Sequence, residues 1–280
     1  MNIFLTGCTS YIGKYLAIAF IKQGYNVIGT SRTNPKIKNK KFSFIKHDLS
    51  ISPILKLKKK IDFFVHVAGK RMIKGTKDKE YIKSNVLVTY NLQKMIKKFR
   101  PKLTIYTSSR SIYGTVKGSI LKEDTKILNP DIYGQTKFLG EKILESAGHT
   151  ISLRLCTVLG KGAPGWLSNV YYKLRLGKEV TMANTRTNNF VHVSDVFNII
   201  NSFIKKNFFF TDQFNICCSK ITSSKKVVYL MKKILNSNSK VTIKPKKENY
   251  YTISNMKLKK YCLTSTPEKA IHKFINDFKK

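Results

Sequence analysis

A chain of 280 residues, 42% of them hydrophobic, is long enough to bury a full core, with one large domain and a smaller lobe as the expectation. Its five cysteines include no CxxC pair and no Cys/His metal spacing, which excludes a disulfide framework and a zinc module and fits a reducing cytoplasm. The 53 Lys and Arg against 15 Asp and Glu leave a formal charge of +38, a sign that points to polyanions: an anionic substrate, nucleic acid or an anionic membrane. Only seven of the basic residues are arginine, and Ile, Asn, Phe and Tyr abound, so an AT-rich gene accounts for most of the lysines as solvated surface charge. No apolar run approaches the roughly 18 residues of a membrane span, and the N-terminal run is broken at Thr6 and Gly7, so neither a span nor a leader peptide is expected.

The chain opens on NIFLTG (2–7), a strand-like run, followed by a helical pattern near 12–23 that Gly24 closes. Then come YNVIGT, FSFIKHDL and IDFFVHVAG as strands, a helix near 79–99, LTIYTSS, a helix near 131–147 with Pro130 just before it, and TISLRLCT. Strands this apolar, alternating with amphipathic helices, predict a parallel sheet covered on both faces, an α/β doubly wound architecture. Past residue 157 the alternation fails around GKGAPG. The expected division is therefore 1–156 with 187–212 as a dinucleotide-binding domain and 157–186 with 213–280 as a smaller, interleaved substrate lobe. The lysine runs KIKNKK (36–41) and KLKKK (56–60) fall in or beside connections.

The first connection carries chemistry. A strand ending at Thr6-Gly7 and a helix starting near Ser10 to Gly13 direct backbone N–H groups at a phosphate. Gly7 permits the tight turn, Gly13 permits close helix packing, and Ser10 replaces the usual middle glycine. The cradle so drawn comprises Gly7, Thr9, Ser10, Tyr11, Ile12 and Gly13. At the end of the second strand, where an acid would bond the ribose 2′-OH of NAD, stand Ser31 and Arg32; a guanidinium there pairs with a 2′-phosphate, which favours NADP(H), with NAD(H) as the alternative. Asp48, with Leu49 beside it, ends the third strand, where the carboxylate either accepts from an adenine amino group or caps its own loop.

Tyr-x-x-x-Lys places phenol and ammonium one helical turn apart, so that the cation can lower the phenol pKa. With 14 Tyr and 46 Lys the pattern arises readily by chance: Tyr90/Lys94, Tyr113/Lys117, Tyr133/Lys137 and Tyr229/Lys233 all match. Context selects Tyr133 and Lys137. They begin the helix after NPD, at the carboxyl edge where open α/β sheets bind ligands, and follow the Ser-rich strand end TSSRS.

Taken together these segments resemble the extended short-chain dehydrogenases/reductases, in particular the NAD(P)-dependent epimerase/dehydratase group acting on nucleotide sugars. TGCTSYIG, FFVHVAG, KSNVLVTYNLQ, YTSSRSIYG, YGQTK, LRLCTVLG and NFVHVSDV match its motifs in order over residues 1–206. The resemblance implies a Rossmann sheet, with Tyr133 as general acid/base and Lys137 lowering its pKa and holding the nicotinamide ribose. Ser109, or else Ser108, would bond the reacting oxygen, Asn85 would complete the site, and the backbone at Ala68-Gly69 would line the nicotinamide half. It also implies a homodimer through the helices near 79–99 and 131–147.

Dehydratases of the group carry an Asp/Glu pair after the serine; here the slot reads Arg110-Ser111, which disfavours elimination. The reading that results is an NADP(H)-dependent reductase of a nucleotide-linked 4-keto sugar, with a 4-epimerase as the alternative. The rival class is a non-catalytic dinucleotide-fold protein binding nucleic acid or anionic membrane, against which the Ser109/Tyr133/Lys137 set speaks. Two departures touch the substrate: Thr157 stands where Asn often binds the diphosphate, and Asn188 where an Arg is frequent, with Arg186 displaced by two. Arg186, Lys161 and Arg175 are the candidate diphosphate cations. His66 and His192 read as packed histidines, Trp166 as a packing residue, and no metal site is expected.

Overall fold

The computed structural model describes residues 1–116, 120–244 and 251–279. The chain divides into two compact units, the first comprising Met1–Thr115, Lys126–Arg154 and Ile200–Phe214, the second Val116–Thr125, Leu155–Ile199 and Asn215–Lys280.

The first unit is built on β1 (Asn2–Thr6), α1 (Tyr11–Lys22), β2 (Asn26–Ser31), β3 (Phe42–Lys46) and β4 (Phe63–His66), followed by one long helix in three parts. Those parts are α2 (Asp78–Tyr81), a π-helical segment (Ile82–Leu87) and α3 (Val88–Phe99). β5 (Leu103–Ser109) leads into a 3-10 turn (Arg110–Tyr113). After β6 (Ile120–Leu121), α4 (Ile132–Glu145) and β7 (Thr150–Leu155) complete the regular part. Asp131 caps α4 by accepting from the Gly134 N–H, and Gly24, at φ +92°, ends α1 where sequence placed its stop. The apolar strand runs are buried nearly throughout, as a two-sided parallel sheet requires. Phe4, Ile28, Phe64, Leu92, Met95, Tyr106 and Leu144 form the core on one face.

The second unit holds β8 (Thr157–Leu159), α5 (Trp166–Arg175), β9 (Val180–Ala183), β10 (Arg186–Thr187) and β11 (Phe190–His192). α6 (Val193–Lys205) runs back into the first unit, where β12 (Asp212–Ile216) joins its sheet in the order β12-β7-β5-β4-β1-β2-β3. β13 (Thr222–Ser223), α7 (Ser224–Ile234), β14 (Val241–Lys244), β15 (Thr252–Ile253), α8 (Met256–Lys259) and α9 (Pro267–Asn276) finish the second unit. Leu167, Tyr171, Phe190, Val228, Met231 and Phe274 pack at its centre.

The observed boundaries differ from those expected in two places. Residues 187–199 belong to the second unit, because β11 pairs with β8 and Phe190 lies in the second core. Residues 116–125 join it as well, because β6 pairs with β15. No helix among the described residues is long and apolar enough to cross a membrane.

Candidate active site

The turn between β1 and α1 is shaped by close backbone approach. Gly7 has φ +68°, and a Cβ on it would lie 2.7 Å from the Ala68 amide nitrogen. A Cβ on Gly13 would lie 2.2 Å from the Gly7 carbonyl oxygen. Ser10 caps α1 by accepting from the Gly13 N–H at 3.0 Å, which leaves its own O–H to donate outward from an exposed position. Thr9, Tyr11 and Ile12 complete this first turn, whose dipole favours an anion. The N-terminal turn of α1, with its outward Ser10 hydroxyl, fits a dinucleotide pyrophosphate.

At the next two strand ends the polar groups bond within their own loops. The Ser31 hydroxyl donates to the Thr33 carbonyl at 2.5 Å. Asp48 accepts from the Ser50 N–H at 2.9 Å and its hydroxyl at 2.7 Å, a loop-capping arrangement beside buried Leu49. Burial pushes the Asp48 carboxyl up, but the Ser50 hydrogen bonds and the charges of Arg32 and Lys83 outweigh it and hold it below the usual carboxylate range.

A hydrogen-bonded chain connects the strand ends to the long helix. The Val67 and Ala68 N–H groups both donate to Thr6 Oγ1 at 3.1 Å. That hydroxyl therefore donates its own proton to His66 Nδ1, 2.7 Å away. His66 Nε2–H then donates to Thr89 Oγ1 at 3.0 Å, and Thr89 to the Asn85 carbonyl at 2.5 Å. Burial, and then the charge of Lys137, lower His66 to about 3, so it is a neutral structural histidine.

Asn85 lies within the π-helical segment, a feature frequent at functional sites. Its side chain accepts from the Lys70 N–H at 2.7 Å and donates to the Lys70 carbonyl at 3.3 Å and to Thr136 Oγ1 at 3.0 Å. It thereby clamps the Ala68-Gly69-Lys70 backbone to α4, one turn from Tyr133, and a Cβ on Gly69 would sit 2.8 Å from its oxygen.

Successive residues of β5 face opposite ways. Ser108 donates to buried Glu141 at 2.5 Å, whereas Ser109 accepts from the Ser111 N–H at 3.2 Å and is the serine near enough to the Tyr133 phenol to act on its pKa. Burial raises the Tyr133 phenol above its ordinary value; the Ser109 hydroxyl and the nearby charge of Arg110 act in the lowering direction, against Asp131 and Tyr81. Lys137, 6% exposed, holds its Nζ 4.3 Å from the centroid of the Tyr106 ring. Burial brings it from 10.5 down to about 7, with the Glu141 carboxylate opposing. Glu141 itself is fully buried and paired with Arg154, Nε to Oε1 at 3.2 Å and NH2 to Oε2 at 2.9 Å, while Arg154 NH1 donates to the Tyr113 hydroxyl at 3.1 Å.

Glu141 and Arg154 were missed in sequence. Their signal was a Glu four residues after Lys137 and a lone Arg inside the apolar run SLRL. Among the other Tyr/Lys pairs, Tyr90 and Tyr229 lie half exposed on helices, and Tyr113 is fully buried under Arg154; its Lys117 lies outside the described residues.

The residues expected at the substrate diphosphate belong to the second unit. Thr157 opens β8 half buried, Arg186 is exposed on β10, Arg175 donates to the Tyr171 hydroxyl at 3.4 Å, and the Lys161 N–H donates to Asp277 at 3.3 Å. Asn188 is an internal tie, bonded to both the carbonyl and the N–H of Ile253, at 2.7 and 3.1 Å. His192 is held between Ser194 and Asp277, at 2.8 and 3.0 Å. Among the described residues no cluster has a metal-ligand arrangement.

The sequence model of the NAD dependent epimerase/dehydratase family matches residues 3–217. An uncharacterised protein of Methanocaldococcus jannaschii is 29% identical over 313 aligned residues, covering 99% of this chain and 96% of that one. A UDP-glucose 4-epimerase of Yersinia enterocolitica is 30% identical over 164 residues, 52% of this chain and 48% of the relative. The UDP-glucuronic acid 4-epimerase of Bacillus cereus in complex with NAD superposes with a TM-score of 0.85 at 21% identity, over 100% of this chain and 99% of that one, a likeness of fold.

Proposed function

Because this chain belongs to the NAD dependent epimerase/dehydratase family, we propose that it inverts the C4 configuration of a nucleotide-linked sugar, with NAD(H) as its cofactor. The observation that carries this reading is the packing of the first turn of α4, with Tyr133 and buried Lys137 one turn apart, against the end of β5 that carries Ser109. Relatives named as 4-epimerases support it, and no carboxylate pair for dehydration follows Ser109. The 4-ketoreductase expectation gives way to its alternative. It rested on an NADP preference for which the relatives offer no support.

The residues divide the work simply. Ser109 holds the C4 oxygen, and Tyr133 takes its proton and later returns one. Lys137 orients the nicotinamide ribose from its buried place one turn along α4. When bound, the nicotinamide supplies a hydride acceptor that gives the hydride back, so no net redox equivalent is consumed. Return to the opposite sugar face inverts C4. Arg110, in the slot where dehydratases carry acids, supports the phenolate rather than an elimination.

The remaining assignments follow from the same reading. The second unit is the substrate lobe, with Thr157, Lys161 and Arg186 as diphosphate contacts, and the enzyme works in the cytoplasm. It pairs through the long helix over 78–99 and α4, which expose Ile82, Leu87, Tyr90 and Leu139. The deciding experiment incubates the purified protein with UDP-glucose and with UDP-glucuronate and reads the C4 configuration by NMR. Tyr133→Phe should lower turnover by about 10²- to 10⁴-fold. Unchanged turnover in the variant ends the assignment, and NADPH oxidation with a 4-keto sugar without epimerisation restores the reductase.

A further inference from the structure

All strands of a parallel sheet begin at one edge, and in the first unit three lysine-rich connections arrive there. KIKNKK (36–41) ends where β3 starts, KLKKK (56–60) ends just before β4, and KKFRPK (97–102) ends where β5 starts. Backbone contacts tie the three into a single row. The Lys102 N–H donates to the Asp62 carbonyl at 2.9 Å, and the Asp62 N–H to the Asn2 carbonyl at 3.0 Å. Asn2 Nδ2 donates to the Lys60 carbonyl at 2.8 Å, and the Asn26 N–H to the Met1 carbonyl at 3.1 Å. The Val27 N–H donates to the Lys41 carbonyl at 2.8 Å, and Lys41 Nζ reaches the Gly24 carbonyl at 3.3 Å.

The three runs contain twelve cations and no Asp or Glu, and all twelve side chains are exposed. The nearest carboxylate in the row, Asp62, is taken up by the Asn2 N–H at 2.7 Å. Five adjacent strand starts span roughly 20 Å at about 4.8 Å per strand. At its β5 end the row meets a cleft of about 580 Å³ whose walls include Lys97, Arg100 and Glu145, the last paired with Lys142 at 2.7 Å. The cradle at Gly7–Gly13, Ser109 and Tyr133 lie at the opposite, strand-end edge of the same unit, so a partner on the row leaves them uncovered.

We propose that this strand-start edge is a docking face for an anionic lipid bilayer, engaged by the three lysine runs together. A broad row of flexible point charges matches a plane of headgroup phosphates. Nucleic acid fits less well: eleven of the twelve cations are lysine rather than the forked arginine that reads bases, and no exposed aromatic lies in the runs for bases to stack on. One exposed apolar side chain adds to the match, Leu55, 43% exposed immediately before Lys56.

The test compares two variants of the full chain, each of which lowers the formal charge from +38 to +34. One carries Lys38→Gln, Lys40→Gln, Lys58→Gln and Lys59→Gln; the other carries Lys225→Gln, Lys226→Gln, Lys233→Gln and Lys240→Gln, exposed lysines of the second unit. Binding is measured by co-sedimentation with phosphatidylcholine vesicles, with and without phosphatidylglycerol, at about 0.15 M ionic strength. Unchanged melting temperatures certify both folds. The wild type should bind only the anionic vesicles. The edge variant should lose roughly a thousand-fold in partitioning, at about 1 kcal/mol per lysine, and the second-unit variant only a few-fold. Equal losses in the two variants, no wild-type binding, or tighter binding to an RNA oligonucleotide than to the vesicles in the same buffer would each overturn the proposal.

Discussion

Lys137 carries its amine into a space lined by the Tyr106 ring, and burial moves its pKa from 10.5 to about 7. Between those two values the unfolded chain binds the extra proton, so the stability at this position is lowest below about pH 7 and rises as the pH climbs toward 10.5. Lys137→Met removes that dependence. The variant should melt above the wild type at pH 6.5, and the gap should narrow by pH 9 in thermal scans. Glu141 poses the complementary case. Glu141→Gln leaves the Arg154 guanidinium buried without its counter-ion and should cost about 3–5 kcal/mol in urea unfolding, part of which Arg154→Met in the same chain restores. The one-turn spacing of Tyr133 and Lys137 on a single helix was legible in sequence, whereas Ser109 was reached only through the family resemblance, with Ser108 beside it. The Glu141–Arg154 pair was not legible, since 13 residues and a strand separate two groups that meet only once α4 packs on the sheet.

The pattern of β1, α1 and β2 was legible because each is long enough for its periodicity to show, and their ends fall within a residue or two of expectation. The helix near 79–99 was legible too, but its π-helical segment was not: hydrogen bonds that span one residue more shift the apolar face without erasing it on either side. In the second unit, two-residue strands such as β6 and β15 leave no period to read, and they pair across more than 130 residues of chain. Packing between elements yields its own prediction. A Cβ on Gly134 would lie 2.3 Å from the Ser111 carbonyl oxygen, so Gly134→Ala must push α4 away from the turn Arg110–Tyr113. The expected result is a loss of about 1–3 kcal/mol of stability, with kcat falling further than that loss explains because Tyr133 and Ser109 sit on the two displaced parts. Urea unfolding beside steady-state turnover reads both.

For the molecule as a whole, cofactor choice is a matter of linkage: whichever dinucleotide binds the native state more tightly raises the melting temperature more at equal concentration. NAD should raise it above NADP. The reverse order would return Arg32 to the role first read from sequence. The two-unit division was legible only in outline, because the segments that cross over, 116–125 and 187–199, declare their side through strand partners rather than through composition. The position of β12 has a consequence for biosynthesis. It forms the outermost strand beside β7, yet its residues follow those of β7 by more than 50 positions. At about 5–20 residues per second a ribosome needs several seconds to span that interval. During it β7 stands as a bare flank on a nascent sheet, open to a trigger-type chaperone or to a neighbouring nascent chain.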